Sequence, residues 1–409
     1  MSSKMRAAPF YQVEVNGATF TPFIPNIKII QETDKHTVAT MEVWYQGKGS
    51  SRGNAKSRGA WAYLKEKTPV RVTYGMYPGY LTDLLTYVAS YKVLRSSKDQ
   101  VYSGTIVTKV EYTLVGVSMN MQSTIHQAWK NLSPSAIASK VAVRNGLRAI
   151  IHPTKTVYNY RLQNCSDFQF LCELADEIGY RFYIDNTDLY FVDPNIVIQQ
   201  KSNNVPQFWA NNSPGFKDTL EDFTPTVGTT TAEKIPATRT VAGFNGNTGI
   251  YVNARNQYSL YEAFTTAPET PIISRYENTF PVESYQEAQE RLSASSLRNQ
   301  YWATADATVW GDYRVRPNHL VELIGDGVPE DEKGQWLVQK AVHRLSIPPR
   351  VGYVWGGEYH IDMKLMRNQS YTINYSTPNN QALVNQVVPA KLINGVWKST
   401  NVGAQAYAN

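Results

Sequence analysis

The chain has 409 residues, 18% of them charged and 12% aromatic, with 27 tyrosines against 13 phenylalanines and 9 tryptophans. So little charge with so many rings excludes a disordered, collagenous or coiled-coil protein and points to sheet-rich globular domains, about two to four by length. The formal charge of +6 is uneven: the stretch up to Ser118 holds fifteen basic and eight acidic residues, and the remainder is close to neutral.

Two cysteines, Cys165 and Cys172, are too few for a disulfide framework in a chain of this length. The first ten residues lack the apolar core of an export signal, and no run of about 18 apolar residues exists. The expectation is a protein made in a reducing cytoplasm, without membrane insertion.

Taken in chain order, the first 118 residues read as strands. Val13 and Val15, then Phe20 and Phe23 after a turn, open the pattern, and residues 40–45 and 70–74 alternate at period two. Residues 102–112 and 113–118 continue it, so a small antiparallel barrel or sandwich is predicted. Between 46 and 59 lies a loop with four basic residues (Lys48, Arg52, Lys56, Arg58), four glycines and no acid. Two readings fit it: a solvated hairpin loop, or a contact with an acidic neighbour through those four side chains.

Residues 119–195 change character. Ser133-Pro134 starts a helix that Asn145-Gly146 closes, and residues 158–162 form a short strand. Ser166 and Gln169 make a capping box for a second helix with Phe168, Leu171, Leu174, Ala175 and Ile178 on one face and Gly179 at its end. Residues 180–184 and 189–192 then alternate around a polar turn, giving a compact α/β module. Residues 200–280 are rich in Asn, Thr, Pro and Gly, and their strands are hard to place. Ser284 and Glu287 form another capping box, with Tyr285, Ala288 and Leu292 behind it. Strands resume at 305–310, 319–324, 335–345 and 358–366, followed by a polar, aperiodic tail over 368–409. A faint repeat relates residues 69–75, a long loop and 104–110 to residues 318–325, a loop and 335–341.

Chemistry for catalysis is sparse. Ser51 sits in a formal Gly-x-Ser-x-Gly match at 49–53, but a glycine- and arginine-rich loop follows it instead of the helix a nucleophile elbow needs. The six histidines are scattered without metal-ligand spacing, and Gly243, Gly246 and Gly249 form a turn cluster rather than a phosphate loop. No catalytic, cofactor or metal site is expected.

Between 133 and 192 the order Ser-Pro-Ser-Ala-Ile-Ala, Asn145-Gly146-Leu147, Gln163-Asn-Cys-Ser-Asp167, Phe170-Leu-Cys-Glu-Leu-Ala175, Gly179-Tyr-Arg-Phe and Leu189-Tyr-Phe resembles the middle of the phage tail hub family. That family comprises the late control D proteins, the central hubs of contractile-tail baseplates and the N-terminal half of VgrG spikes. Ala307-Thr-Val-Trp-Gly-Asp312, Arg316-Pro-Asn-His-Leu-Val-Glu-Leu-Ile-Gly325 and Gly334-Gln-Trp-Leu-Val-Gln-Lys-Ala-Val-His343 resemble its second-barrel segment. The resemblance implies a mainly β fold with α+β modules: two similar antiparallel, tube-like β-barrels plus lateral α/β domains. The expected division is a first barrel over 1–118, a lateral module over 119–200 and a linker or second lateral region over 201–300 partly feeding the second barrel. That barrel spans 301–367, with an extended arm over 368–409.

It also implies a structural hub: a homotrimeric ring in a virion baseplate, assembled in the host cytoplasm, matching a sixfold tail tube to a threefold central spike. Expected partners are the tail tube or distal tail protein, the spike and other baseplate proteins, with DNA passing through the channel without specific binding. Nothing after Met366 looks like the β-helix of spike-fused relatives, so the spike is expected on a separate chain. The alternative is a tail-associated hydrolase of cell wall or capsule, for which no carboxylate pair is visible in the sequence.

Overall fold

A computed structural model of the chain describes residues 8–47, 63–77, 81–98, 106–199, 205–211, 219–226, 236–245, 250–259, 273–277, 303–347, 357–367, 390–399 and 405–406. The first strands are β1 (Ala8–Val15), β2 (Ala18–Thr19), β3 (Phe23–Glu32), β4 (Val38–Gly47), β5 (Pro69–Tyr77), β6 (Leu81–Lys98) and β7 (Ile106–Gly116). Asn16 and Gly17, both at positive φ, form the two-residue turn from β1 to β2 that the right-handed twist of paired strands favours. The strands run in the antiparallel order β2-β1-β5-β6-β7-β4-β3. This sheet curls until the Tyr11 hydroxyl on β1 donates to the Ile24 carbonyl on β3.

The sequence reading takes the stretch between residues 75 and 104 as a long loop, and here the structure differs. Residues 81–98 are β6, 18 residues long and central to the sheet. Leu84 and Val88 point into the barrel, while Leu85 and Tyr87 point out into a second core. Burial on both faces removes the alternation that marks a strand, and bulges between Val88 and Ser90 and between Val93 and Arg95 shift the phase further. The faint repeat is affected too. β5 and β7 flank β6 and do not pair with each other.

The lateral module follows, as β8 (Gln127–Leu132), α1 (Pro134–Arg144), β9 (Arg148–Ile151), β10 (Tyr158–Gln163), α2 (Asp167–Ile178), β11 (Arg181–Asp185), β12 (Asp188–Val192) and α3 (Pro194–Gln199). Ser133 caps α1 through the Ala136 amide at 3.3 Å, and Ser166 caps α2 through the Gln169 amide at 3.2 Å. The predicted capping box is only half made. The Gln169 side chain donates forward to Glu173 at 2.9 Å instead of returning to the cap. Gly179, at φ +76, ends α2 in the left-handed conformation. Phe170, Leu171 and Leu174 of α2 and Ile137 and Val141 of α1 pack on Phe182 and Phe191 of the sheet.

Next come β13 (Gln207–Trp209) and β14 (Leu220–Thr226), then β15 (Pro236–Asn245), β16 (Ile250–Ser259) and β17 (Ile273–Glu277), which form a three-stranded sheet in the order β16-β15-β17. The helix expected after Ser284 lies outside the described residues. The strands expected beyond residue 302 are β18 (Ala303–Trp310), β19 (Leu320–Ile324), β20 (Gly334–Ser346) and β21 (Glu358–Arg367). They form a second barrel in the order β13-β19-β20-β21-β18-β14. It closes through the chain itself: the Thr219 amide donates to the Trp209 carbonyl at 3.0 Å, and the amide of the next residue, Ala210, donates to the Ile324 carbonyl at 3.0 Å.

Strand β20 belongs to both halves. Leu337 to Gly334 pair with β19, Lys340 to Ser346 pair with β3 of the first barrel, and β21 follows along the other side. One sheet, antiparallel except where β13 lies parallel to β19, therefore runs through both barrels, and their interiors form one apolar cluster. Tyr74 of β5 packs 5.5 Å from His343 and 6.4 Å from Tyr359 where the two interiors meet.

Finally, β22 (Ala390–Ile393), β23 (Val396–Ser399) and β24 (Gln405–Ala406) lie against the lateral module. β24 pairs parallel to β9, Leu392 packs on the module's core, and Lys398 approaches Gly146.

Candidate assembly site

Two features of the fold bear on function: a junction that fixes the lateral module to both barrels, and a polar face that runs across both barrels. The junction is built on a turn before β19, where Pro317 and positive-φ Asn318 aim Arg316 back into the protein. Its guanidinium donates to the Asp185 carboxylate at the end of β11 and to the Thr82 hydroxyl on β6, and its Nε donates to the Tyr313 carbonyl at 3.3 Å. One side chain thus ties second barrel, lateral module and first barrel together. Such a pair is held by geometry: its attraction offsets the cost of desolvating both ions only while every partner stays in place.

The neighbouring contacts follow the same seam. Asn186, at φ +53 in the β11–β12 turn, donates to the Asp83 carbonyl at 2.7 Å and accepts from the Leu85 amide at 2.9 Å, so an amide side chain substitutes for a paired strand beside β6. The Asp34 amide donates to the Phe182 carbonyl at 3.1 Å, and Arg181 lies 3.7 Å from the Asp34 carboxylate. Behind them Arg148 grips Asp188 with two bonds of 2.8 and 2.6 Å. Burial pushes the Asp188 carboxyl up to about 6, against the pull of Arg148. Tyr183 and Tyr190 stack at 4.3 Å beside this pair, and burial holds both phenols well above their usual range.

The second feature is read directly from the strand register. Outward-facing side chains form rows across β18, β21, β20, β3, β4, β7 and β6. One row reads Asp306, Lys364, Lys340, Glu32. Another reads His360, Arg344, Lys28, Thr40, Thr113, Ser90, and a third Glu358, Ser346, Asn26, Glu42, Glu111, Lys92. Basic and acidic residues are equal in number across these rows. Some of these charges are paired: Arg344 meets Asp362 at 2.6 Å and Lys340 meets Glu32 at 3.4 Å, while nearby Lys109 lies 3.7 Å over the Trp44 ring, whose Nε1 donates to Glu42. These three rows therefore carry none of the net positive charge of the N-terminal stretch.

No protein-family model matches the sequence, and no curated protein matches it. Solved structures do match. A tail protein from Neisseria meningitidis MC58 superposes with a TM-score of 0.58 at 10% identity, covering 88% of this chain and 97% of that one. The 43 kDa tail protein of prophage MuSo2 from Shewanella oneidensis gives 0.55 at 13% identity, covering 88% and 98%. The fold is that of phage tail proteins. An Escherichia coli component of the type VI secretion system, described as structurally similar to the T4 bacteriophage tail proteins gp27 and gp5, shares it with a TM-score of 0.52 at 9% identity, covering 90% and 79%. At this coverage the tail-protein fold takes in barrels and lateral module together, and the resemblance read from the sequence is borne out at the level of fold.

Of the residues singled out in the sequence, Lys48, Arg52, Lys56, Arg58 and Ser51 lie outside the described residues. The described chain stops at Gly47, the end of β4, and resumes at Tyr63, which stacks on Tyr91 at 5.2 Å. Tyr63, Tyr91, Val93 and Leu94 are all exposed there, along a stretch of β6 that extends beyond its pairing with β5. The histidines do not converge. His36 bonds Ser118 at 2.7 Å, His152 accepts from the Asp193 amide at 2.9 Å, His343 meets the Tyr359 hydroxyl at 2.8 Å, and His360 meets Glu221 at 2.8 Å. Cys165 and Cys172 are free thiols at the start and on the packed side of α2, and burial pushes the Cys172 thiol up. Among the described residues no group of three His, Cys, Asp or Glu side chains is placed to hold a metal. Sequence reading missed the junction, because Thr82, Asp185 and Arg316 are remote in the chain and each sits in an ordinary polar turn or strand.

Proposed function

We propose that this protein is a structural hub of a phage or phage-derived tail baseplate, working by geometry rather than by catalysis. The observation that carries the reading is β20, which joins two similar barrels through one sheet within a single chain. Three copies closed head to tail present six barrels, so a threefold ring mates with a sixfold tail tube on one side and a threefold spike on the other. The tail-protein fold supports a tail role. The exposed Tyr63, Tyr91, Val93 and Leu94 suit a subunit contact, where aromatic and apolar side chains are favoured over charge.

In this reading the polar rows line the channel. A wall with equal numbers of basic and acidic side chains gives phosphates no net attraction, so DNA passes without being held. The loop bearing Lys48, Arg52, Lys56 and Arg58 contacts an acidic neighbour in the tube or baseplate, and the lateral module grips the spike or the surrounding baseplate. The protein acts in the virion after assembly in the host cytoplasm. Light scattering with averaged electron images of the purified chain tests the proposal. A trimeric ring with six similar lobes is expected. A monomer that stays monomeric with the tail tube and spike proteins present contradicts it, and clearing of cell wall or capsule in a zymogram would favour a hydrolase.

A further inference from the structure

At the meeting point of the three bodies lies a small cavity of about 10 Å³, lined among others by Gln31, Glu32, Tyr183, Asp185 and Arg316. Gln31, on β3, is 4% exposed, and its Oε1 atom is buried without a hydrogen-bond partner. Buried amide oxygens in native proteins are paired, to protein or to ordered water. The cavity is about the size of one water molecule, and its polar walls offer the two to four partners such a molecule needs.

Charge decides what the site takes. Glu32 pairs with Lys35 at 2.7 Å and with Lys340 at 3.4 Å, and Asp185 pairs with Arg316. A cation entering would face the guanidinium, and an anion would face two carboxylates, so a small neutral ligand fits best. We propose that the cavity holds one buried water molecule, donating to Gln31 Oε1 and to the Asp185 carboxylate and accepting from an Arg316 N–H. The guanidinium has five such hydrogens, and its bonds to Asp185, Thr82 and Tyr313 use three. The water bonds to first barrel, lateral module and second barrel at once, completing the junction that Arg316 begins. The inference does not depend on the baseplate reading.

A crystal structure of the full chain that resolves ordered solvent tests it. The expected result is a solvent peak within about 3.2 Å of Gln31 Oε1 and of a polar atom on a second body. A dry cavity, a direct protein partner for Gln31 Oε1, or a peak with the short contacts or anomalous signal of an ion overturns it. In solution, oxygen-17 relaxation dispersion counts long-lived waters. Gln31→Met, which keeps the shape and removes the acceptor, should lose one, and Gln31→Glu should keep it. An unchanged count in a folded Gln31→Met protein overturns the proposal, and if that variant does not fold the wild-type crystal decides.

Discussion

Arg316 and Asp185, 131 residues apart in the chain, form an ion pair whose other partner, Thr82, belongs to a third part of the fold. The side chains are 17% and 9% exposed, so water does little to replace a lost partner. Arg316→Met alone should destabilise by about 3–5 kcal/mol, because it strands a buried carboxylate. Arg316→Met with Asp185→Leu should recover much of that loss, since no ion is then left unpaired. Urea unfolding of the three proteins measures the difference. Equal stability of single and double variants would show that the pair does not hold the junction.

Acid should loosen the protein before its carboxylates titrate fully. Burial lowers His152 to about 4 and His343 to about 3, and it lowers His319 as well. His152 and His343 are neutral in the folded chain at pH 6, while their unfolded counterparts begin to bind a proton near 6.5. Below that pH the unfolded state binds more protons at these two histidines, whereas Asp188, raised to about 6 in the fold, offsets one of them between about 6 and 4. The two histidines together outweigh it, so folding stability falls as pH drops from about 6.5 towards 4 and 3. One such histidine costs about 1.4 kcal/mol for every pH unit crossed in that window. Denaturant midpoints at pH 7.5, 6 and 4.5 should fall in order, and His343→Gln should flatten the slope. An identical slope in that variant would remove His343 from the account.

Sequence reading succeeds where local chemistry fixes structure. Ser133, Ser166 and Gly179 mark the ends of α1 and α2 because caps act over one helical turn. The strands of the second barrel are readable because Ala303, Ala305, Ala307 and Val309 point inward and alternate with outward Thr304, Asp306 and Thr308. It fails at β6, where Leu84 to Val88 serve two cores at once. It also fails at the junction, where Thr82, Asp185 and Arg316 act together only after three segments have folded. The pairing of β20 with β3 across the chain is of the same kind: period two shows that each is a strand, and nothing in the period names its neighbour.

Two glycines should be irreplaceable for different reasons. A Cβ on Gly311 would enter the Tyr359 ring, a fully buried side chain with no room to retreat. Gly325 sits at φ +104 and would drive its Cβ into the Ala210 carbonyl at the seam that closes the second barrel. Gly334 has a similar φ of +109 but open space around it. Gly311→Ala and Gly325→Ala should each cost about 3 kcal/mol or prevent folding, whereas Gly334→Ala should cost about 1–2 kcal/mol from backbone strain alone. Thermal melts of the three variants check the ranking, and a Gly311→Ala protein as stable as wild type would show that β18 and β21 pack more loosely than described.

The polar rows make a prediction about nucleic acid that separates a conduit from a binder. Glu42 and Glu111 stand in neighbouring strands of one row, flanked by Lys92 and Asn26, and Glu42 accepts from Asn26 at 3.0 Å. Replacing both by lysine removes two negative charges and adds two positive ones without touching either core. The wild-type chain should retain duplex DNA weakly if at all at about 150 mM salt, with an affinity that disappears as salt rises. The Glu42→Lys, Glu111→Lys protein should bind measurably, and the slope of log affinity against log salt should steepen by about 0.9 for each additional phosphate neutralised. Fluorescence anisotropy with a labelled duplex across a salt series reads both quantities. Tight binding by the wild-type chain at that salt would contradict the proposed channel wall, because in a conduit every bond to a phosphate would have to be broken as DNA moves.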